Sequence, residues 1–188
     1  IPTMKLRLSS PSDLVDLNGL TELSGIKLDG DTLTIGAMTR HADVTASGEV
    51  AGAIPALTEL AGGIGDVQVR NRGTIGGSIC FNDPAADYPA GLVGLGATVN
   101  TNQRSIAADE FFVSLYETAL ENGEIVTSVS FPVPQKAGWS KFANLASRFA
   151  IVSVMVSMSG SSVRVAVTGA KDCVFRVGEM EQALSGDF

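Results

Sequence analysis

Arg70-Asn71-Arg72-Gly73-Thr74-Ile75-Gly76-Gly77-Ser78-Ile79-Cys80-Phe81-Asn82-Asp83-Pro84-Ala85-Ala86-Asp87-Tyr88-Pro89 is the stretch around which the chain is organised. Gly73, Gly76 and Gly77 stand here among the hydroxyls of Thr74 and Ser78, the amide of Asn82 and the carboxylates of Asp83 and Asp87. Such a mixture is poor material for a core strand and suits a loop that touches a large polar ligand. Glycine tolerates positive φ and carries no Cβ, so the main chain is expected to approach a ligand closely and turn successive N–H groups toward an anion. Thr74 and Ser78 add hydroxyl donors, while Asn82, Asp83 and Asp87 suit the hydroxyls of a sugar or sugar alcohol. A nucleotide-like ligand fits this set; the plainer reading of Gly76-Gly77 is a tight turn or close packing.

Two standard phosphate motifs are missing. No G-x-G-x-x-G opens a helix after a strand, and no glycine precedes Lys-Ser or Lys-Thr as a P-loop requires.

In the residues quoted above, the sequence resembles the flavoprotein (medium) subunit of the molybdenum hydroxylases, the xanthine dehydrogenase and carbon monoxide dehydrogenase group. Residues 70–78 followed by 82–87 look like that family's second FAD-binding loop almost residue for residue. Residues 1–8, 14–17, 39–44 and 131–134 are similar to other family segments, in the same order along the chain. The resemblance implies an α+β class: a PCMH-type FAD-binding fold, with a mixed sheet and flanking helices, followed by an antiparallel-sheet-plus-helix subdomain. It implies a remnant of a first FAD-binding subdomain at 1–15, a second at 16–134 and an incomplete C-terminal subdomain at 135–188. The family's first FAD loop, a small-residue Ala-Gly-Gly-x-Ser segment, is expected just before the residue matching Ile1, and the last subdomain is expected to run on past Phe188.

The same resemblance implies residue roles. Gly73, Thr74, Gly76, Gly77 and Ser78 fall on the pyrophosphate side of FAD, and Asp87 on a ribose or ribityl hydroxyl. Cys80 makes contact through backbone or shape, and Ile64 places an apolar side chain near the flavin ring. No catalytic residue and no metal ligand is assigned. The implied activity is an electron relay. Substrate is hydroxylated at a molybdenum cofactor on a molybdopterin large subunit, electrons pass through [2Fe–2S] clusters on a small subunit, and FAD delivers them to NAD+ or another acceptor. Two rival readings are a self-contained flavoprotein oxidoreductase of the vanillyl-alcohol oxidase type and a non-catalytic interaction module that keeps the fold without the cofactor.

Composition narrows the field independently. A net charge of −7 argues against nucleic acid or an anionic membrane as partner, since those interfaces need clustered Lys and Arg. No apolar run reaches the roughly 18 to 20 residues that span a bilayer, and the first residues lack the segments of a signal peptide; a cytoplasmic location is expected. Cys80 and Cys173 are too far apart in sequence for a C-x-x-C metal site and too few for a disulfide framework.

The periodicity predicts a hairpin of 26–28 and 32–35 around Asp29-Gly30-Asp31. It predicts a strand at 14–17 and a Thr39-capped helix over 40–46. Apolar spacing of three and four predicts a helix over 54–67, opened by Pro55 and weakened by Gly62, Gly63 and Gly65. A helical turn at 90–95, a hairpin of 97–101 and 104–106 and an Asp109-capped helix to 119 follow. Strands are expected at 125–131, 139–145, 151–158 and 163–167, and a final helix from 179 to 185. His41, the one histidine, lacks an evident orienting partner and reads as a surface or packing residue rather than a base. Arg70 and Arg72 suit either a pyrophosphate or surface carboxylates.

Overall fold

A computed structural model of the chain describes residues 2–8 and 10–185. After a short helix α1 (Pro2–Lys5), the described residues form no regular element until the single 3-10 turn at Thr21–Leu23. The strand expected at 14–17 is therefore absent: Leu14 and Val15 are exposed, with no neighbouring strand on which to bury alternate side chains.

The hairpin forms from β1 (Ile26–Asp29) and β2 (Thr32–Gly36). Asp29 pairs with Thr32, leaving Gly30-Asp31 as a two-residue loop with Gly30 at φ +57, the positive value that primed hairpin turns require. Helices α2 (His41–Ala46), α3 (Gly48–Ala53) and α4 (Pro55–Gly62) follow. Thr39 does not cap α2. Its hydroxyl is bonded to both the N–H and the carbonyl of Gly25, and Arg40 occupies the cap position without a side-chain bond. The helix expected over 54–67 stops at Gly62; Gly63 lies so close to Trp139 that a Cβ there would stand 2.7 Å from its ring. Gly65 then turns the chain at φ +48 into α5 (Val67–Arg70).

Beyond α5 come α6 (Ile75–Phe81) and α7 (Tyr88–Leu95), then β3 (Thr98–Thr101), β4 (Ser105–Ala107), α8 (Ala108–Phe111), β5 (Phe112–Ser114), β6 (Glu117–Thr118) and β7 (Val126–Pro132). Asp109 lies inside the single turn of α8 and pairs with Arg164 and Arg176 instead of capping a long helix. The last part contains β8 (Lys136–Ala143), β9 (Ala150–Ser159), β10 (Ser162–Thr168), β11 (Phe175–Arg176) and α9 (Gly178–Leu184).

One sheet runs β1-β2-β7-β3-β4 and another β11-β10-β9-β8, with β5-β6 as a separate pair. The α+β class is as expected. Every named ladder is antiparallel, so the first sheet, expected as mixed, is antiparallel among the described residues. Its inward face carries Leu33, Ile35, Val99, Val129 and Phe131, packed with Leu57, Leu60, Ile75, Ile79 and Leu92 of the helices. Helix α7 is buried all round, as a helix without a polar face must be. Its small residues set the approach to β9, since a Cβ on Gly94 would stand 2.7 Å from the Met155 side chain. Among the described residues no helix is long and apolar enough to cross a membrane.

Candidate functional site

Half of the stretch expected as a loop, including Gly76 and Gly77, is helix. Thr74 adopts an extended backbone, and its Oγ1 accepts the N–H of Gly77 at 3.1 Å, the geometry of an N-cap. Gly73, Gly76 and Gly77 accordingly do not take the positive φ expected of them. Nor are the first amides of α6 turned to an anion. The N–H of Ile75 goes to Thr39 O at 3.2 Å, that of Gly76 to Ala37 O at 2.9 Å and that of Ser78 to Thr74 O at 3.0 Å.

The three glycines have three different surroundings. A Cβ on Gly73 would stand 2.5 Å from His41 Nε2, and one on Gly76 would stand 2.7 Å from both Cβ and O of Ala37. A Cβ on Gly77 would meet only Thr74 Oγ1, at 3.1 Å, and this glycine is exposed. Close packing accounts for the first two; Gly77 leaves bare backbone facing open space.

Helix α6 separates two cavities. Thr74, Gly76, Gly77 and Cys80 line a space of about 330 Å³ whose other walls include Ala37, Met38, Leu120, Glu124, Ile125 and Val126. Ser78, on another side of the helix, joins Ile64 and Asp87 around a second space of about 110 Å³, closed by Gly65, Val69, Ser147, Arg148 and Phe149. Gly73 lies behind both, under α2.

Asp87 is buried and pairs with Lys141 of β8, whose Nζ lies 2.6 Å from Asp87 Oδ2 and also donates to Gly63 O at 3.2 Å. Desolvation pushes the Asp87 carboxyl up to about 6, against the lowering effect of the Lys141 hydrogen bond and charge. Its Oδ1 is buried without a partner among the described residues. Cys80 is exposed overall, yet desolvation by the surrounding protein pushes its thiol up to about 11 and keeps it protonated. Glu124 has a fully buried side chain and is held down at about 2, first by the Arg104 hydrogen bond and then by the Glu121 N–H. That network fixes the 119–124 segment against the β3–β4 turn, because Arg104 also donates to Ala119 O.

Other residues singled out in the sequence have internal duties. Asn82 is fully buried in the left-handed conformation at the end of α6, where its Nδ2 donates to Ser114 O and Glu117 O. Its Oδ1 is buried without a partner among the described residues. Asp83 accepts the N–H of Ala85. His41 is buried against Tyr88, ring centroids 5.3 Å apart, and is pushed down to about 4 by desolvation and then by the Arg70 charge, a packing role. Arg70 pairs with no carboxylate among the described residues; it donates to Ile64 O and Gly65 O at 2.9 and 3.1 Å. Arg72 is exposed.

Local sequence reasoning missed the charged residues Glu124 and Arg148 in the cavity linings and Lys141, the partner of Asp87. A single Lys within the otherwise uncharged run Trp139-Ser140-Lys141-Phe142 was the only local signal for Lys141. Among the described residues, no group of His, Cys, Asp and Glu is placed to hold a metal ion.

Residues 1–134 match the family described as the FAD binding domain in molybdopterin dehydrogenase. The chain is 36% identical to the glyceraldehyde dehydrogenase medium chain of Sulfolobus acidocaldarius, covering 99% of this chain and 70% of that one. It is 41% identical to the carbon monoxide dehydrogenase medium chain of Hydrogenophaga pseudoflava over 74% of this chain and 50% of that one. Among solved structures, quinoline 2-oxidoreductase from Pseudomonas putida 86 superposes with a TM-score of 0.91 at 30% identity, over 99% of this chain and 69% of that one. Carbon monoxide dehydrogenase from Hydrogenophaga pseudoflava does so with a TM-score of 0.85 at 36% identity, over 93% of this chain and 65% of that one. The chain therefore spans between half and about seven tenths of the length of these relatives. With the family match over residues 1–134 and these likenesses over nearly the whole chain, the protein belongs to the FAD-binding family of the molybdopterin dehydrogenases.

Proposed function

We propose that the chain is the FAD-binding part of the medium subunit of a molybdenum-containing hydroxylase or dehydrogenase, passing electrons from [2Fe–2S] clusters through FAD to NAD+ or another acceptor. The observation that carries this reading is Gly77. It is exposed on the first turn of a Thr74-capped helix and borders a cavity of about 330 Å³. A side chain there would fill the space a ligand needs.

The residues fit FAD in kind. The larger cavity combines the apolar Leu120, Ile125 and Val126 with the Thr74 hydroxyl, which suits a molecule bearing both ring systems and phosphates. The smaller one brings Ile64 together with Ser78 and with Asp87, whose buried Oδ1 is open to a hydroxyl donor. We assign Thr74, Gly76, Gly77 and Ser78 to the pyrophosphate side, with Gly73 behind them. Asp87 takes a ribose or ribityl hydroxyl, Ile64 an edge or face of the flavin ring, and Cys80 a contact through shape. When bound, FAD supplies the conversion between one-electron and two-electron transfer. The chain's own residues bind, orient and shield; none is required as an acid or base.

The complete assembly would include an iron–sulfur small subunit and a molybdopterin large subunit and work in the cytoplasm. Relatives described as medium chains of dehydrogenases support the partnership. The division at 1–15, 16–134 and 135–188 is supported at its second boundary by the change of sheet between β7 and β8. Purification of the natural complex followed by flavin, iron and molybdenum analysis tests the proposal. One flavin per chain together with both metals is expected. Flavin without either metal would favour a self-contained flavoprotein, and no flavin would favour an interaction module.

A further inference from the structure

Two guanidinium groups converge on one neutral oxygen at the edge of the smaller cavity. Gly65 O accepts from Arg70 Nη1 at 3.1 Å and from Arg148 Nη1 at 3.4 Å. The two cations are thus neighbours, although like charges repel and the chain as a whole is acidic, at −7. Neither forms an ion pair among the described residues. Two carboxylates of this region are engaged elsewhere: Asp66 caps Val69 N, and Asp87, in the same cavity lining as Arg148, is paired with Lys141.

The arrangement is held in place on both sides. Arg70 is fixed by its second bond, to Ile64 O. Arg148 sits at φ +61, a left-handed value unusual for a residue with a side chain. Its turn is fixed by Asn144, whose Oδ1 accepts the N–H groups of Ala146 and Ser147 and whose carbonyl accepts that of Arg148. Backbone of this kind persists where surrounding bonds over-determine it, and ligand clamps are among the places where it gathers. Paired guanidinium forks match the geometry of a phosphate-type oxyanion, which would bridge both and cancel their repulsion.

We propose that Arg70 and Arg148 form a clamp for a phosphate-type oxyanion carried by the diffusible reactant that exchanges electrons at this site. This rests on the FAD reading above and adds a second ligand to it. Arg148 borders the cavity of Ile64, where the flavin ring is assigned, whereas Gly77 borders the other cavity, across α6. Ser78, assigned to the pyrophosphate side, also borders the Ile64 cavity, so retention of FAD in an Arg148 variant is what separates a clamp for a reactant approaching the ring from a contact of the cofactor itself.

The experiment titrates inorganic pyrophosphate into the natural flavin-loaded protein at low ionic strength, followed by calorimetry and by perturbation of the flavin absorbance. Arg148→Gly is the decisive variant, because glycine suits φ +61 and removes the cation without straining the turn. Saturable binding by the parent protein is expected, weakened about tenfold or more in Arg148→Gly and partly kept in Arg148→Lys, with flavin content unchanged and thermal stability not reduced. About 1 M salt should abolish it. Equal binding by the parent and Arg148→Gly would mean an adventitious ion only and would overturn the clamp. Loss of FAD from Arg148→Gly would overturn it too, by making Arg148 a contact of the cofactor. A parent protein without flavin would instead count against the FAD reading, and calorimetry would still report on the anion.

Discussion

Gly76 donates its N–H to Ala37 O at 2.9 Å, and a Cβ built on Gly76 would stand 2.7 Å from that same oxygen. The hydrogen bond and the missing side chain are one requirement: α6 is drawn against the end of β2 so tightly that only hydrogen fits between. Gly76→Ala should therefore cost about 1 to 3 kcal/mol by overpacking, outweighing the roughly 0.5 to 1 kcal/mol that alanine gains over glycine in a helix. Urea denaturation of the flavin-free protein reads this directly. Unchanged stability would show that the contact yields easily.

The buried pair of Lys141 and Asp87 ties β8 to the start of α7 and, through Gly63 O, to the end of α4. Removing one partner leaves the other charge buried, a loss of about 3 to 5 kcal/mol. Lys141→Met should be destabilised by that order, while Lys141→Met combined with Asp87→Leu should recover much of it. A double variant as unstable as the sum of the two singles would mean that the charges are not coupled.

His41 makes stability depend on pH. Its folded value, about 4, lies below the ordinary 6.5, so the unfolded chain binds the proton more readily between these limits. The neutral ring's contribution is full above pH 6.5 and is lost as pH falls through about 4, a span worth about 3 kcal/mol. His41→Gln should flatten this slope. Asp87, raised to about 6, acts in the opposite sense from its ordinary 3.8 upward, but it is common to both proteins and cancels in their difference. Parallel pH profiles for the two proteins would rule the effect out.

How much of this was legible in the sequence depends on the distance over which each feature is decided. The hairpin at Gly30 and the β9–β10 pair declare themselves through alternation and local turn residues, and both formed. The helix at 75–81 did not, because Gly76-Gly77 argues against helix by propensity, while the cap of Thr74 and the carbonyls of Ala37 and Thr39 override it. Gly73 and Gly76, read as conformational freedom, turned out to be matters of space, with His41 and Ala37 as the unseen neighbours. Lys141 meets Asp87 across 54 positions, a pairing with no local signature. Residues 70–89 stood out for their glycines and polar groups; that α6 within them divides two cavities was not legible.

The bare backbone at Gly77, proposed above as the place where FAD lies, is tested by titrating FAD into the natural polypeptide that carries this chain, as parent and as Gly77→Val. A Cβ at Gly77 meets only Thr74 Oγ1, at 3.1 Å, so the variant should fold, which circular dichroism and a thermal melt verify. Stoichiometric FAD is expected in the parent and a loss of affinity of about a hundredfold or more in the variant, the equivalent of one or two charge-assisted hydrogen bonds. A folded Gly77→Val protein that retains FAD as tightly as the parent would contradict that placement.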